Sequence, residues 1–192
     1  MTIGTGRRAA AIALGVCAIL LTFDLANAAE GRRRGQAREM SRPTGGTETV
    51  RAPIAAAAGT IVIRNSERRL YLVQGDGTAI RYRIAVGKQS EQWEGETYVN
   101  GRHARPAWSP PAVVRRANPA LPDVIPGGAP NNPMGEGALT LAGGEYAIHG
   151  TSAGMRRSIG TAASMGCFRM LNEDVVDLMN RVGVGTRVVV TR

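Results

Sequence analysis

The feature of this sequence that most limits its fold is a proline-rich stretch in the middle of the chain. Its prolines fall within residues 106–133, with glycines between them: Pro106, Pro110, Pro111, Pro119, Pro122, Pro126, Pro130 and Pro133. Because proline fixes φ and donates no backbone hydrogen bond, this density is incompatible with a regular helix or a central strand. The sequence therefore predicts a long ordered loop, held in place by packing of Trp93 and Trp108.

Short apolar runs on either side of this loop predict β-strands. Every second residue from Ile80 to Val86 is apolar or aromatic, which is the pattern of a strand with one buried face. Together with the runs at 60–63 and 70–73, this pattern predicts two successive hairpins, a β-meander. Further strands are expected at 139–141, 146–148 and 186–191.

One helix is predicted between the last two of these strands. Asn172 is a candidate N-cap, acidic residues follow it in the first turn, and Gly183 ends the pattern. The apolar face of the helix is expected to consist of Val175, Val176, Leu178, Met179 and Val182. The patterns together predict a mainly β domain with one short helix.

The N-terminus has the three parts of a secretory signal peptide. Arg7 and Arg8 form a basic flank, residues 9–23 are largely apolar, and Ala26-Asn27-Ala28 has the spacing of a cleavage site. The apolar run is shorter than the roughly 20 residues that cross a bilayer. We therefore expect residues 1–28 to be a signal peptide and the protein to be exported, with an uncleaved membrane anchor as the alternative.

Residues 29–58 are expected to form a flexible basic linker that precedes a folded domain at 59–192. The linker contains few large apolar residues and includes Arg32-Arg33-Arg34. The whole chain has a formal net charge of +9, which suits anionic partners. After export, nucleic acid is no longer a candidate. The alternatives are contact with an anionic envelope polymer or membrane surface, and a simple solvated tether, which we favour.

Cysteine usage indicates a reactive thiol. Cleavage of the signal peptide would remove Cys17 and leave Cys167 as the single cysteine. A lone thiol is vulnerable in an oxidising compartment, and nucleophilic chemistry is the obvious reason to keep one. The neighbouring Gly166 lets backbone amides approach a substrate carbonyl, and His149 follows a predicted strand, where it can hold the thiol as its thiolate.

Simpler interpretations of the same residues exist. A buried cysteine is usually inert, and a histidine at a strand end usually satisfies local hydrogen bonds. Metal binding is poorly supported, because one cysteine and two histidines supply too few ligands at a recognisable spacing. A serine hydrolase is also poorly supported, since the Gly-x-Ser-x-Gly turn is absent. The second histidine, His103, is expected at the surface.

Two spaced motifs surround the histidine and the cysteine. Residues 148–151 read Ile-His-Gly-Thr, and residues 164–170 read Ser-Met-Gly-Cys-Phe-Arg-Met. With further landmarks, they resemble the signature of the L,D-transpeptidase catalytic domain, the YkuD family, over roughly residues 59–192. The landmarks lie at 86–88, 106–111, 132–135 and 185–188. The resemblance implies an L,D-transpeptidase-like β-sandwich or barrel, with a long Pro/Gly-rich loop and a short helix after the cysteine loop.

The cysteine motif departs from the family at one position. Many members have histidine between the serine and the glycine, where this chain has Met165. The rest of the motif is intact, so the change bears on the choice of substrate more than on thiol chemistry. It leaves His149 as the candidate base of the motif.

The resemblance implies a cysteine acyltransferase that needs no metal or organic cofactor. His149 would take the proton of Cys167, and the carbonyl of Gly150 would orient the imidazole. The thiolate would attack the third residue of a peptidoglycan tetrapeptide, release D-alanine, and pass the acyl group to a second stem peptide as a 3→3 cross-link. Gly166 would contribute to the oxyanion site. Arg169 would bind a substrate carboxylate or brace the loop, and Ser164 would stabilise it.

The acceptor of the acyl group stays open at this point. Water would make the protein an L,D-carboxypeptidase or an endopeptidase, and an amine of an outer-membrane protein would make it a protein-to-peptidoglycan anchoring enzyme. A non-catalytic envelope-binding module is the alternative from another class. The expected partners are donor and acceptor stem peptides in the periplasm or cell envelope, with membrane contact only through the signal peptide during export.

Overall fold

The computed structural model describes residues 47–192. The predicted signal peptide, 1–28, and residues 29–46 of the predicted linker lie outside the described residues. The sequence predicts a flexible linker up to residue 58, but part of its described segment is a strand. Strand β1 (Glu48–Arg51) pairs antiparallel with strand β4 (Thr78–Arg83). The segment is short and mostly exposed, and this is why its sequence lacks a strand pattern.

The next strands form the antiparallel meander that the sequence predicts. Strands β2 (Ile61–Arg64), β3 (Arg69–Val73) and β4 (Thr78–Arg83) pair in chain order. The alternating residues from Ile80 to Val86 are all buried, as predicted, although β4 ends at Arg83 and a separate short strand, β5 (Val86–Gly87), follows. The meander thus presents one apolar face to the core.

A ten-residue strand, β6 (Gly95–Ala104), connects the two halves of the sheet. Its first residues pair with the last strand, β11 (Arg187–Thr191), and the rest pair with β7 (Gly137–Leu141). The register shifts between Val99 and Gly101, and such a bulge bends a strand. The sequence did not predict β6, because its side chains are mostly exposed and only Thr97 and Val99 are buried.

The second half of the sheet carries the predicted cysteine and histidine motifs. Strand β8 (Ala147–His149) pairs antiparallel with β7 and parallel with β10 (Phe168–Arg169). Strand β9 (Ala162–Ser164) pairs with β5 in a separate two-stranded sheet. The order in the large sheet is β1-β4-β3-β2-β11-β6-β7-β8-β10.

Apolar residues of both halves pack in one core cluster. It includes Ile61, Leu70 and Tyr82 from the meander and Leu139, Ile148 and Phe168 from the second half. Residues of the C-terminal helix close it. The mainly β, sandwich-like architecture that the sequence predicts is confirmed.

The proline-rich stretch is a long connection, but it contains one short helix that the sequence did not predict. Helix α1 (Ala112–Ala117) lies between Pro111 and Pro119, so the prolines flank it and do not interrupt it. The carbonyl of Pro111 accepts the first helical hydrogen bonds, from the amides of Val114 and Arg115. Proline just before the first turn needs no N–H, so the helix is compatible with this composition.

Asn132 orders the proline-rich connection. Its side chain is buried, and its Nδ2 donates to the carbonyls of Pro106 and Pro126, each at 2.9 Å. Its Oδ1 accepts the amide of Met134 at 2.8 Å. Trp108 and Ile125 exchange two backbone hydrogen bonds across the same loop. The connection is therefore ordered mainly by hydrogen bonds.

Helix α2 (Asn172–Arg181) lies where the sequence predicts a helix, with two differences. Leu171 is the N-cap residue and Asn172 the first helical residue, whose side chain is used elsewhere. Val176 is exposed, while Val175, Leu178 and Met179 are buried and Val182 packs against the core. No helix in the described chain has both the length and the apolar character needed to cross a membrane.

Candidate active site

The pairing of β8 with β10 brings the two motifs together. In this parallel register, Ile148 is opposite Phe168 and His149 is opposite Arg169. Ile148 and Phe168 both point into the core. Because successive side chains of a strand alternate between faces, His149, Arg169 and Cys167 lie on the opposite face. The two motifs, separated by twelve residues of the chain, therefore meet through strand register.

Those three side chains open into one cavity of about 490 Å³. The turn at 143–146 and the 3₁₀ helix Ala153–Ser158 contribute to its walls. The proline-rich connection lines another side, with Trp108, Pro111, Val113, Val114, Pro133 and Met134. Ser164 and Met165 also line it, and Met165 is half exposed. The connection therefore forms one wall of the cleft.

The carbonyl of Gly150 fixes the tautomer of His149. Nδ1 of His149 lies 2.7 Å from that carbonyl oxygen, which can only accept a hydrogen bond. Nδ1 therefore carries the proton in the neutral imidazole, and Nε2 has the free lone pair. A β-carbon on Gly150 would collide with Oδ1 of Asn172, so the close approach of these groups requires glycine.

Burial keeps both reactive groups uncharged in the resting protein. Burial, together with the charge of Arg169, lowers the pKa of His149 to about 4, against the opposing effect of the Gly150 and Pro133 carbonyls. Burial also raises the pKa of Cys167, against the effect of the Ala147 backbone hydrogen bond. Both shifts favour the uncharged forms, a neutral thiol and a neutral imidazole.

Ser164 holds the cysteine loop by two hydrogen bonds. Its buried Oγ donates to the carbonyl of Cys167 at 2.5 Å and accepts the amide of Gly166 at 3.2 Å. These are the contacts of the loop-stabilising hydroxyl that the sequence suggests. Because the Gly166 amide is already engaged, the amide of Cys167 becomes the better candidate in this loop for an oxyanion donor.

Arg169 places an incompletely bonded guanidinium beside the cysteine. Its Nη1 makes one long contact, 3.5 Å, to the carbonyl of Ala163, and its buried Nε has no hydrogen-bond partner among the described residues. The backbone of Arg169 is held by Ala85, with reciprocal hydrogen bonds of 2.8 and 2.9 Å. The side chain is thus held in place by its strand while its donors are poorly satisfied.

Asn172 links the histidine loop to the proline-rich connection, and the sequence assigned it a different role. Its Oδ1 accepts the amides of Thr151, at 3.0 Å, and Glu136, at 3.2 Å. Only the Asn-Glu-Asp pattern of a helix start was visible in the sequence, so it was interpreted as an N-cap. His103, by contrast, is exposed on β6, as expected.

Within residues 47–192, no cluster of three or more His, Cys, Asp or Glu side chains could hold a metal ion. The groups gathered around the cavity are instead a thiol, a neutral imidazole with a free Nε2, and a guanidinium. A thiol and a base that open into one cavity can serve as a cysteine nucleophile and its proton acceptor.

Comparisons with known proteins agree with this arrangement. The family model described as "L,D-transpeptidase catalytic domain", YkuD, matches residues 58–190. The probable L,D-transpeptidase YbiS of Escherichia coli is 42% identical over 137 residues, which cover 67% of this chain and 43% of YbiS. The putative L,D-transpeptidase YqjB of Bacillus subtilis is 31% identical, covering 68% of this chain and 70% of YqjB. The match thus spans less than half of YbiS.

Solved structures share the fold at low sequence identity. An L,D-transpeptidase from Mycobacterium smegmatis has a TM-score of 0.56 at 14% identity, covering 71% of this chain and 60% of that chain. The catalytic domain of an Enterococcus faecium L,D-transpeptidase acylated by ertapenem has a TM-score of 0.53 at 16% identity, covering 72% and 100%. By the match of the family model and the identity to its relatives, this chain belongs to the L,D-transpeptidase catalytic domain family, YkuD.

Proposed function

We propose that this protein is a peptidoglycan L,D-transpeptidase that forms 3→3 cross-links through a thioacyl-enzyme on Cys167. The observation that carries the proposal is the β8–β10 register, which sets His149 and Cys167 on one face of the sheet and in one cavity. Family membership supports the same chemistry. The chain would act in cell-wall biogenesis, in the periplasm or cell envelope, after export by its N-terminal segment.

The first half-reaction starts from the neutral pair. Nε2 of His149 accepts the thiol proton as Sγ of Cys167 attacks the carbonyl carbon of the third stem residue. The backbone amide of Cys167 donates to the resulting oxyanion. The C–N bond to the terminal D-alanine then breaks, its nitrogen takes the proton from His149, and a thioester remains on Cys167.

The second half-reaction reverses these roles with a new amine. A side-chain amine of a second stem peptide attacks the thioester, and His149 accepts a proton from the attacking nitrogen. The C–S bond breaks, the proton returns to sulfur, and an amide cross-link forms. No external energy source or cofactor is needed, since the energy of the donor amide is retained in the thioester.

Arg169 is proposed to bind a carboxylate of the stem peptide. Its guanidinium lies beside Cys167 and His149 on the cavity face, and its hydrogen-bond donors are poorly satisfied within the protein. A carboxylate would satisfy them and would neutralise a buried positive charge. The single 3.5 Å contact to Ala163 makes the alternative role, bracing of the loop, the weaker one.

The test is to incubate the purified protein with disaccharide-tetrapeptide and identify the products by mass spectrometry, with Cys167→Ala as the control. A 3→3 dimer and free D-alanine, both absent with the variant, are the expected result. Tripeptide without dimer would assign a carboxypeptidase. Release of D-alanine with transfer only to an added outer-membrane protein would assign an anchoring enzyme. No reaction by the folded protein would favour an envelope-binding module.

A further inference from the structure

Trp93 contacts the cysteine loop from outside the catalytic motifs. It lies just before β6, and its indole Nε1 donates a hydrogen bond of 3.2 Å to the carbonyl of Gly166. Its own backbone carbonyl accepts a hydrogen bond of 3.0 Å from Nδ2 of the buried Asn65. The indole is thus attached at one end to the meander and at the other to the residue that precedes Cys167.

Two aromatic rings fix the plane of the indole. Trp93 stacks on Tyr146 with 5.0 Å between ring centroids and 18° between planes, and it packs against Phe168 at 5.6 Å. Tyr146 lines the cavity, and Phe168 follows Cys167 in the chain. Such contacts hold an aromatic side chain in one orientation and so hold its N–H in one direction.

Gly166 has a backbone conformation that only glycine adopts readily, and its carbonyl is free to point in several directions unless a hydrogen bond holds it. Its φ is +107°, and a β-carbon at this position would lie 2.5 Å from Cε1 of Tyr146. The residue must therefore be glycine, which has the widest choice of peptide orientations. The amide of Gly166 is held by Ser164, while its carbonyl is held by Trp93.

The carbonyl of Gly166 and the amide of Cys167 belong to the same peptide unit. This unit is planar and trans, so its C=O and N–H point in opposite directions and turn together. A hydrogen bond to the carbonyl therefore sets the direction of the Cys167 N–H. It also polarises the peptide and makes that N–H a stronger donor.

We infer that Trp93 is a positioning residue that aims the backbone amide of Cys167 at the oxyanion by holding the other end of the same peptide group. This inference rests on the proposed thioacyl-enzyme. Trp93 does not line the cavity and contacts the cysteine loop through the Gly166 carbonyl, so we expect its effect to be confined to steps that build negative charge on a carbonyl oxygen. Preorganised donors of this kind act on the rate of reaction more than on binding.

Two reactions of the same thiol separate this role from a merely structural one. Ertapenem acylates through attack on a carbonyl, which builds an oxyanion, and the ring C–N bond then breaks to leave a thioester. Iodoacetamide alkylates at a saturated carbon and expels iodide, so no oxyanion forms. Both modifications are followed by intact-protein mass spectrometry. Trp93→Phe retains an aromatic ring and removes the indole donor.

We expect Trp93→Phe to slow acylation about 10-fold, less than the 10²–10³ for complete loss of an oxyanion donor, and to leave alkylation within twofold of the unmodified sequence. Tyr82→Phe is the matched control, because it removes a hydrogen bond of 2.7 Å to Asp177 in the core and should change neither rate. If Trp93→Phe does not fold, 3-benzothienylalanine at position 93 keeps the ring shape without the donor.

Unchanged acylation in the variant would overturn the inference, and so would a parallel fall in both rates, which would show a general disturbance of the thiol. The proposed function fails in a different way, because then the unsubstituted protein itself would not be acylated at Cys167.

Discussion

At the scale of single residues, the proposed chemistry depends on a histidine that stays neutral in a buried site. Gly150 gives the imidazole its tautomer, and burial gives it a pKa of about 4. A base with so low a pKa is a weak proton acceptor, but it is unprotonated over nearly the whole physiological range. Burial raises the pKa of the Cys167 thiol in the same cavity, so we expect its proton to move as the carbonyl is attacked.

The first prediction is that acylation remains fast down to an unusually low pH. Only neutral His149 can accept the thiol proton, so we expect the rate of ertapenem acylation to fall with a midpoint near pH 4. Arg169→Gln removes a positive charge that lowers the pKa of His149, and should move the midpoint upward. The measurement is the acylation rate from pH 3.5 to 8 by mass spectrometry. A midpoint near pH 6.5, the ordinary histidine value, would contradict it.

Circular dichroism at each pH is the control, because the same shift affects folding. Unfolded His149 binds a proton near pH 6.5, while in the folded protein it does so only near pH 4. The unfolded chain therefore binds more protons between these values. The contribution of His149 to the free energy of unfolding is complete above pH 6.5 and falls as the pH drops toward 4.

At the scale of elements, the site depends on how the start of α2 is joined to the histidine loop. Oδ1 of Asn172 accepts two backbone amides, one after His149 and one in the loop that follows the proline-rich connection. Through this one oxygen, the helix joins two segments whose nearby residues, Met134 and His149, line the cavity. Asn172 therefore acts on His149 through Gly150 and Thr151, without contact with the reacting atoms.

The second prediction concerns this junction. Asn172→Ala leaves two partly buried amides without an acceptor, so we expect the free energy of unfolding to fall by about 1–3 kcal/mol. Ertapenem acylation should slow as well, because the histidine loop loses its anchor. Urea denaturation and acylation rates measure the two effects. Asn172→Asp keeps an acceptor oxygen and should retain most of both properties; equal losses in the two variants would contradict the assignment.

The elements that the sequence could predict are those whose pattern is local. Alternation from Ile80 to Val86 and the apolar spacing in α2 reveal a buried face directly. Strand β6 is central in the sheet yet mostly exposed, so its sequence has no apolar alternation. Helix α1 fits between Pro111 and Pro119. The proline density of the whole stretch argues against a helix, but the local spacing of these two prolines permits a short one.

The candidate site residues that the sequence offers are those of two short motifs. These motifs resemble a family signature, and the resemblance proposes His149, Gly150, Ser164, Gly166, Cys167 and Arg169 as site residues. Trp93 and Asn172 reach the site by contacts across 73 and 21 positions of the chain. Their roles depend on contacts that form only in the tertiary fold, so no local sequence pattern predicts them.

At the scale of the whole molecule, the folded region begins before the boundary that composition suggests. Val50, Ala52, Ile54 and Ala56 pack against a second apolar cluster on the meander, which contains Val62, Tyr71, Val73 and Ala79. Strand β1 also extends the sheet beyond β4. The alanine-rich sequence of this segment resembles a linker because small side chains are sufficient to cover that cluster.

The third prediction concerns the segment that covers the second apolar cluster. A protein that begins at Gly59 exposes the second cluster and loses β1, so we expect it to be less stable than one that begins at Thr47. Loss of even part of this burial is worth about 2 kcal/mol, or roughly 4–8 °C in Tm for a domain of this size. Differential scanning calorimetry of both proteins tests this. Equal melting temperatures would show that the segment is a linker after all.

The central claim is that Cys167 carries the acyl group of the donor stem peptide. The most direct measurement is peptide-resolved mass spectrometry of the protein quenched in acid during turnover of disaccharide-tetrapeptide. We expect a thioester on the peptide that contains Cys167, with the mass of the disaccharide-tripeptide acyl group. It should be absent in Cys167→Ala and released by hydroxylamine. Turnover of the donor with no adduct on Cys167, or turnover retained in Cys167→Ala, would contradict this role of Cys167.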